Sequence, residues 1–283
     1  MMEEYIKKAK VLLEALPYIQ KFASKTFVIK FGGSIAADKE LKESFIKDII
    51  LLKLVGINII IVHGGGKEID GLLAKLNIGV NFHEGHRITD ENTMEVVEMV
   101  LSGKINKDLV ALINKFGGRA CGLSGKDGNL ITAKKFKTEK IDLGFVGEVK
   151  HVDKKILLTL DPSFIPVIAP VSMDDEGRTL NINADLVASA VAAELEAEKL
   201  IILSDRDGLL NADNELISSV KTTDVKNMIK EGVIYGGMIP KANSCADAVK
   251  RGVKKVHIIN GSVPHAVLLE IFTKKGIGTQ ISN

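Results

Sequence analysis

The chain has 283 residues, enough for one large domain or two medium ones and for a hydrophobic core that needs no disulfide or metal staple. With 46% hydrophobic and 26% charged residues, disordered, collagenous and coiled-coil readings are excluded. A net charge of +2, 5% aromatic residues and no tryptophan argue against a general nucleic-acid binder or a stacking platform for single strands.

Residues 3–16 read as an amphipathic helix, with Tyr5, Ala9, Leu12, Leu13 and Leu16 on one stripe, and Pro17 predicts its end. A short β-branched strand follows at 26–30 and runs into Gly32-Gly33. A helix is expected over 38–55, then a strongly apolar strand over 57–62 that ends at His63-Gly64-Gly65-Gly66, then a helix from Lys67. Buried strands are predicted at 165–169, 200–203 and 256–259, and helices near 91–116, 184–196, 238–251 and 263–273. The stretch 119–152, with short β-like runs and glycines, reads as hairpins decorating the sheet. Continuously apolar strands alternating with helices imply an α/β fold whose parallel sheet is covered on both faces.

No internal repeat or low-complexity linker is visible. The expected organisation is a helix over 1–20, a first lobe over 21–196 and a second over 197–283, the two lobes sharing one sheet. The longest apolar stretch, 49–62, is broken by Lys53, Gly56 and Asn58, too short and interrupted to span a bilayer. The acidic start Met-Met-Glu-Glu does not read as a secretory signal, so a cytoplasmic protein is expected. Cys121 and Cys245 fit no metal spacing and read as small buried or neutral side chains in a reducing compartment.

Two strands thus end in glycine turns at helix starts, where backbone N–H groups can approach an anion. In open α/β sheets ligands bind at the carboxyl ends of strands, where both turns lie. Neither the P-loop pattern nor the dinucleotide Gly-x-Gly-x-x-Gly is present, so any nucleotide must be held in another way. Gly236-Gly237-Met-Ile-Pro240-Lys241 precedes a further helix. Lys30 and Lys241 stand out among the lysines because each neighbours a Gly-Gly pair at an element end. Asp185, in Leu180-Asn181-Ile182-Asn183-Ala184-Asp185, reads either as a first-turn helix acid or as the group that holds cationic lysines. Only five basic residues are arginine, and Arg87 is one of them.

Val28-Ile-Lys30-Phe-Gly-Gly33, His63-Gly-Gly-Gly66, Gly85-His-Arg87-Ile-Thr-Asp90, Leu180-Asn-Ile-Asn-Ala-Asp185 and Gly236-Gly-Met-Ile-Pro-Lys241 occur in this order. Together they resemble the amino acid kinase family over almost the whole chain, and within it the members that phosphorylate N-acetyl-L-glutamate in arginine biosynthesis. The resemblance implies a three-layer αβα sandwich around a mainly parallel sheet. It also implies ATP as phosphoryl donor, with Mg²⁺ carried by the nucleotide rather than by a protein metal site. Lys30 and Lys241 then stabilise the transition state and Asp185 organises them. Gly65, Gly66, Arg87 and Asn181 belong to the acylamino-acid site. Gly32, Gly33, Ser204, Asp205, Gly208, Gly236 and Gly237 belong to the nucleotide site. Lys67 and Ile88 depart from the residues many relatives carry, without removing a catalytic group.

The N-terminal helix resembles that of the arginine-inhibited branch, in which such helices interlace dimers into a hexamer. The segment from His265 to Thr279 resembles that branch's effector site, with Glu270, Gly276 and Gly278 as its arginine contacts. A regulatory partner of the PII type has no motif of its own here. The chemistry agrees with the residues. A γ-carboxylate acceptor, with a reference pKa of about 4.3, is ionised at neutral pH and needs no general base. His63 therefore reads as a residue orienting its loop, and His83 and His86 as structural or exposed. Arg87 suits the α-carboxylate through its planar fork. A kinase for a related acid, such as an aminoadipate derivative or aspartate, and a non-catalytic amino-acid sensor on the same fold are the alternatives.

Overall fold

Eight strands form one sheet in the computed structural model, which describes residues 2–139, 141–211 and 213–283. In sheet order they are β12 (Ser219–Lys221), β14 (Thr279–Ser282), β13 (Lys255–Asn260), β11 (Lys199–Ser204), β1 (Thr26–Phe31), β2 (Asn58–His63), β8 (Ile165–Ala169) and β5 (Ala120–Ser124). Every neighbouring pair is parallel except β13 and β14. The two apolar strands at the head of the chain lie side by side, with Phe27 against Ile59 and Lys30 against Val62.

Alternation along β1 divides the core in two. Phe27, Ile29 and Phe31 face one layer with Ile59 and Ile61, packed under α3 (Lys39–Leu54), α5 (Glu91–Glu98), α6 (Asn106–Lys115) and α11 (Ala266–Phe272). Val28 faces the other with Ile60 and Val62, packed under α8 (Ala184–Glu194) and α10 (Met238–Lys250). Both faces are covered, which is why the central strands are apolar throughout rather than alternating. The expected three-layer α/β architecture is present. Cys245 is buried in the second layer and Cys121 is partly buried; both are free thiols.

Three local expectations are corrected. The N-terminal helix α1 (Met2–Phe22) does not stop at Pro17 but contains it. A proline removes one intrahelical donor, yet its fixed φ is compatible with a helix. Beyond it Tyr18 packs edge-on against Phe272 and Phe22 against Phe27, with ring centres 6.4 and 5.2 Å apart, and this anchors the last turns. Leu12 and Leu13, on the predicted apolar stripe, remain 75% and 64% exposed.

The stretch 119–152 is more than decoration, because β5 is the edge strand of the main sheet. β6 (Ile131–Lys135) and β7 (Val146–Val152) do form the expected hairpin. With β9 (Val171–Met173) and β10 (Thr179–Ile182) they close into a separate four-stranded barrel. The predicted helix 91–116 is one helical run, but Met99–Ile105 within it is a π-helical turn, a feature that often marks a functional site. The remaining short elements are α2 (Ser34–Ala37), α4 (Gly66–Lys75), β3 (Phe82–His83), β4 (His86–Arg87), α7 (Lys155–Thr159) and α9 (Val225–Lys230). Among the described residues no helix is long and apolar enough to cross a membrane.

Candidate active site

Lys30 lies near the end of β1 on the Val28 face, where α8 and α10 pack. Asn183 caps α8 by accepting from the Asp185 amide at 2.8 Å, which sets Asp185 in the first turn of that helix. Lys241 lies in the first turn of α10, after Gly237. The three side chains meet. Lys241 Nζ donates to Asp185 Oδ2 at 2.5 Å, and Lys30 Nζ forms an ion pair with Oδ1 at 3.1 Å. All three are at most 17% exposed. Burial alone would raise the Asp185 pKa, but Lys30 and Lys241 overcome it and hold the carboxyl at about 2. Asp185 is thus an anion at neutral pH, and the cluster carries one net positive charge.

Two cavities meet at this cluster. The smaller, about 250 Å³, is lined by Lys30 and Asp185 together with Gly65, Gly66, Arg87 and Asn181, four residues expected to share one site. Arg87 is buried on the short β3–β4 hairpin and stacks over Phe82, its guanidinium carbon 4.7 Å from the ring centre. Its Nη1 donates to Asp70 of α4 at 2.5 Å and its Nη2 to the Gly66 carbonyl at 3.4 Å. Thr89 connects the two sides of the cavity. Its hydroxyl donates to the Arg87 carbonyl at 2.8 Å and lies within 3.3 Å of the donating Asn181 amide. Gly33 also lines this cavity, and a Cβ on Gly32 would stand 3.4 Å from Lys30 Nζ.

The larger cavity, about 510 Å³, is lined by Ser204, Asp205, Gly208, Gly236, Gly237 and Lys241. Gly208 has φ +149, and a Cβ there would stand 2.4 Å from the Thr279 hydroxyl oxygen, so the turn after β11 requires glycine. A Cβ on Gly33, Gly236 or Gly237 would meet nothing within 4 Å, so the backbone at these turns faces open space on the cavities.

Some residues of the site carried no readable signal. Asp70 falls mid-sequence in a helix, and only the fold turns it toward Arg87. His86, expected to be structural or exposed, stacks on Phe136 with ring centres 4.7 Å apart and lines the smaller cavity. Tyr235 and the aliphatic Leu209, Val233 and Ile234 line the larger one.

Glu270, Gly276 and Gly278 lie away from both cavities, on a groove of about 660 Å³ that α1 borders with Tyr18, Lys21 and Phe22. Glu270 is buried. Its Oε2 accepts from the Ile277 and Gly278 amides at 2.7 and 3.2 Å, and its Oε1 lies 2.6 Å from His257 Nδ1. A Cβ on Gly276 would stand 2.6 Å from Glu270 Oε2, so only glycine fits beside the carboxylate. Lys199 reaches His257 Nε2 at 3.0 Å, and burial pushes its ammonium down to about 8.

The acetylglutamate kinase of Aquifex aeolicus is 54% identical over 296 residues, covering 99% of each chain. The solved N-acetylglutamate synthase of Neisseria gonorrhoeae, complexed with coenzyme A and N-acetyl-glutamate, superposes with a TM-score of 0.87 at 26% identity. That match covers 97% of this chain and 63% of the synthase. The same synthase complexed with coenzyme A and L-arginine gives 0.81 at 25% identity, covering 97% and 65%. Residues 25–260 match the amino acid kinase family, and with the near-full-length kinase relative this places the chain as a member of the amino acid kinase family.

Proposed function

We propose that the chain transfers the γ-phosphoryl group of ATP to the γ-carboxylate of N-acetyl-L-glutamate, giving N-acetyl-L-glutamyl 5-phosphate. The observation that carries this reading is the Lys30–Asp185–Lys241 cluster at the meeting point of the two cavities. An anionic acceptor must approach an anionic phosphate, so the chemistry needs positive charge and alignment rather than a base. Lys30 on the acceptor side and Lys241 on the donor side supply the charge, and Asp185 holds both ammonium groups on one carboxylate. Glycine turns that leave backbone facing open space, beside two lysines, suit a triphosphate. Mg²⁺ bound to that triphosphate supplies further charge neutralisation.

Each reactant has its own lobe in this reading. The smaller cavity draws its residues from 30–185, within the first lobe of 21–196, and the larger from 204–241, within the second of 197–283. Arg87 takes the α-carboxylate in a bidentate grip, its other face fixed by Asp70 and Phe82. A coupled assay for ADP release across N-acetylglutamate, glutamate, aspartate, carbamate and an N-acylated aminoadipate tests the assignment. Turnover is expected with N-acetylglutamate at a kcat/KM at least tenfold above the others. Preference for another acid would reassign the substrate, and no ADP release with any would make the chain a sensor.

The reading extends to regulation. The groove beside α1 is lined by Glu270, whose Oε1 suits a guanidinium that displaces His257, and by Lys199 and Lys21, which suit a carboxylate, so arginine is its proposed ligand. The arginine-bound synthase supports the choice. The exposed stripe of α1 is proposed to pair with copies of itself and join dimers into a hexamer.

A further inference from the structure

The loop Gly64–Gly66 lines the smaller cavity, and its first residue is held at both its N–H and its carbonyl. The Gly64 N–H donates to the Phe31 carbonyl at 2.8 Å, tying the end of β2 to the end of β1. The Gly64 carbonyl lies 3.1 Å from Nδ1 of His63. A carbonyl only accepts, so Nδ1 bears the proton and the neutral ring accepts at Nε2. Asn106 Nδ2 lies 3.3 Å from that Nε2.

The orientation of Asn106 is determined independently. Its Nδ2 also lies 2.8 Å from the Val167 carbonyl and 3.2 Å from the Leu123 carbonyl, both acceptors. Its Oδ1 accepts from Lys107 Nζ at 3.0 Å. Its two N–H groups serve three acceptors, so one is shared, but the amide nitrogen offers nothing to accept an N–H, and a protonated imidazole would set N–H against N–H. His63 is fully buried, and that burial pushes its ring down to about 4, with the Gly64 carbonyl opposing and the nearby Lys107 assisting.

The helical run that delivers Asn106 is itself fitted to the strands and the loop. Asn106 follows the π-helical turn and is 1% exposed. A Cβ on Gly122 would stand 2.0 Å from its Oδ1, so the glycine in β5 makes its room. A Cβ on Gly65 would stand 2.2 Å from Ile105 Cδ1, so the same run presses on the loop one residue further along.

In a trans peptide the carbonyl and the following N–H point in opposite directions. With glycine on both sides, the Gly64–Gly65 peptide has little intrinsic preference against flipping. We infer that His63, kept as the neutral Nδ1–H tautomer by Asn106, is a positioning residue that pins the Gly64 carbonyl and so turns the Gly65 N–H away from the imidazole to serve an anionic substrate. The inference rests on the proposed function in taking that cavity as the acceptor site.

Imidazole NMR on the full chain tests it, with His63 assigned by His63→Asn. The Nδ1–H tautomer is expected at pH 7, with no protonation down to pH 5.5, where an ordinary histidine is mostly charged. An Nε2–H tautomer, or titration near 6.5, would overturn the inference. In the kinetic arm, His63→Leu removes the donor and is expected to lower kcat about tenfold, the scale of one lost buried hydrogen bond. His63→Asn, whose amide can donate near the Nδ1 position, is expected to recover most of that loss. Equal losses in the two variants would overturn the inference even if both fold. The NMR arm needs no turnover, so an inactive wild-type chain would count against the proposed reaction while the tautomer still decides this point.

Discussion

Replacing Asp185 by asparagine separates a structural from a catalytic role for the lysine cluster. The shape is retained, but the charge that neutralises Lys30 and Lys241 is lost. One amide N–H₂ must then face an ammonium group, because the two lysines occupy both carboxylate oxygens. The folded carboxyl at about 2, against a reference of 3.8, corresponds to on the order of 2 kcal/mol at about 1.4 kcal/mol per pKa unit. The folded value is the depressed one, so this stabilisation is fully present above about pH 4 and is lost as pH falls through about 2. At neutral pH the variant should therefore melt about 4–8 °C below the wild-type chain. Losing the alignment of both ammonium groups should lower kcat about 10²-fold in an ADP-release assay, comparable to removing one preorganised transition-state donor. The KM for ATP should not rise, because the site gains a positive charge. A lower melting temperature with kcat within about threefold of wild type would make Asp185 a structural tie and refute the catalytic reading.

Arg87→Lys should raise the KM for the acylamino acid about tenfold with little change in the KM for ATP, since a lysine cannot hold Asp70 and a carboxylate in one plane; a change confined to ATP would reverse the cavity assignment. Gly65→Ala should displace the loop, because its methyl group would stand 2.2 Å from Ile105 Cδ1. Overpacking of this kind costs about 1–3 kcal/mol, and a wild-type melting curve with wild-type KM would refute the close packing. Arginine should raise the melting temperature of the wild-type chain and inhibit it, and Glu270→Gln should abolish both effects; inhibition that survives the substitution would move the effector elsewhere. Deleting residues 1–20 should reduce the mass in light scattering to that of a dimer, and an unchanged mass would end the interlacing proposal.

The sequence by itself determined the local elements and the places where chemistry could occur. Continuous apolar runs located the central strands and period-3.6 patterns the main helices to within a few residues, because a strand buried on both faces and a helix buried on one set those patterns. Glycine pairs beside Lys30 and Lys241 were legible for the same reason, as both lie where strand and helix patterns break. Three features escaped local reading. The proline within α1 is overridden by the packing of Tyr18 and Phe22, and the strand β5 joins the main sheet only through its pairing with β8. The β6–β7 hairpin closes into a barrel only because β9 and β10 return to it.

Tertiary structure alone decided which charged groups meet. Lys241 and Asp185 are 56 residues apart, and Arg87 and Asp70 are 17 apart on different elements. Neither spacing is a helical or strand period, so nothing local marks either pair. The order of parallel strands places β11 beside β1, and α8 and α10 then cover the same face. That arrangement brings one carboxylate between two lysines and leaves a cavity on either side. The residue types that could neutralise a phosphate were visible along the chain, whereas their convergence depends on long-range strand pairing, which no local pattern encodes.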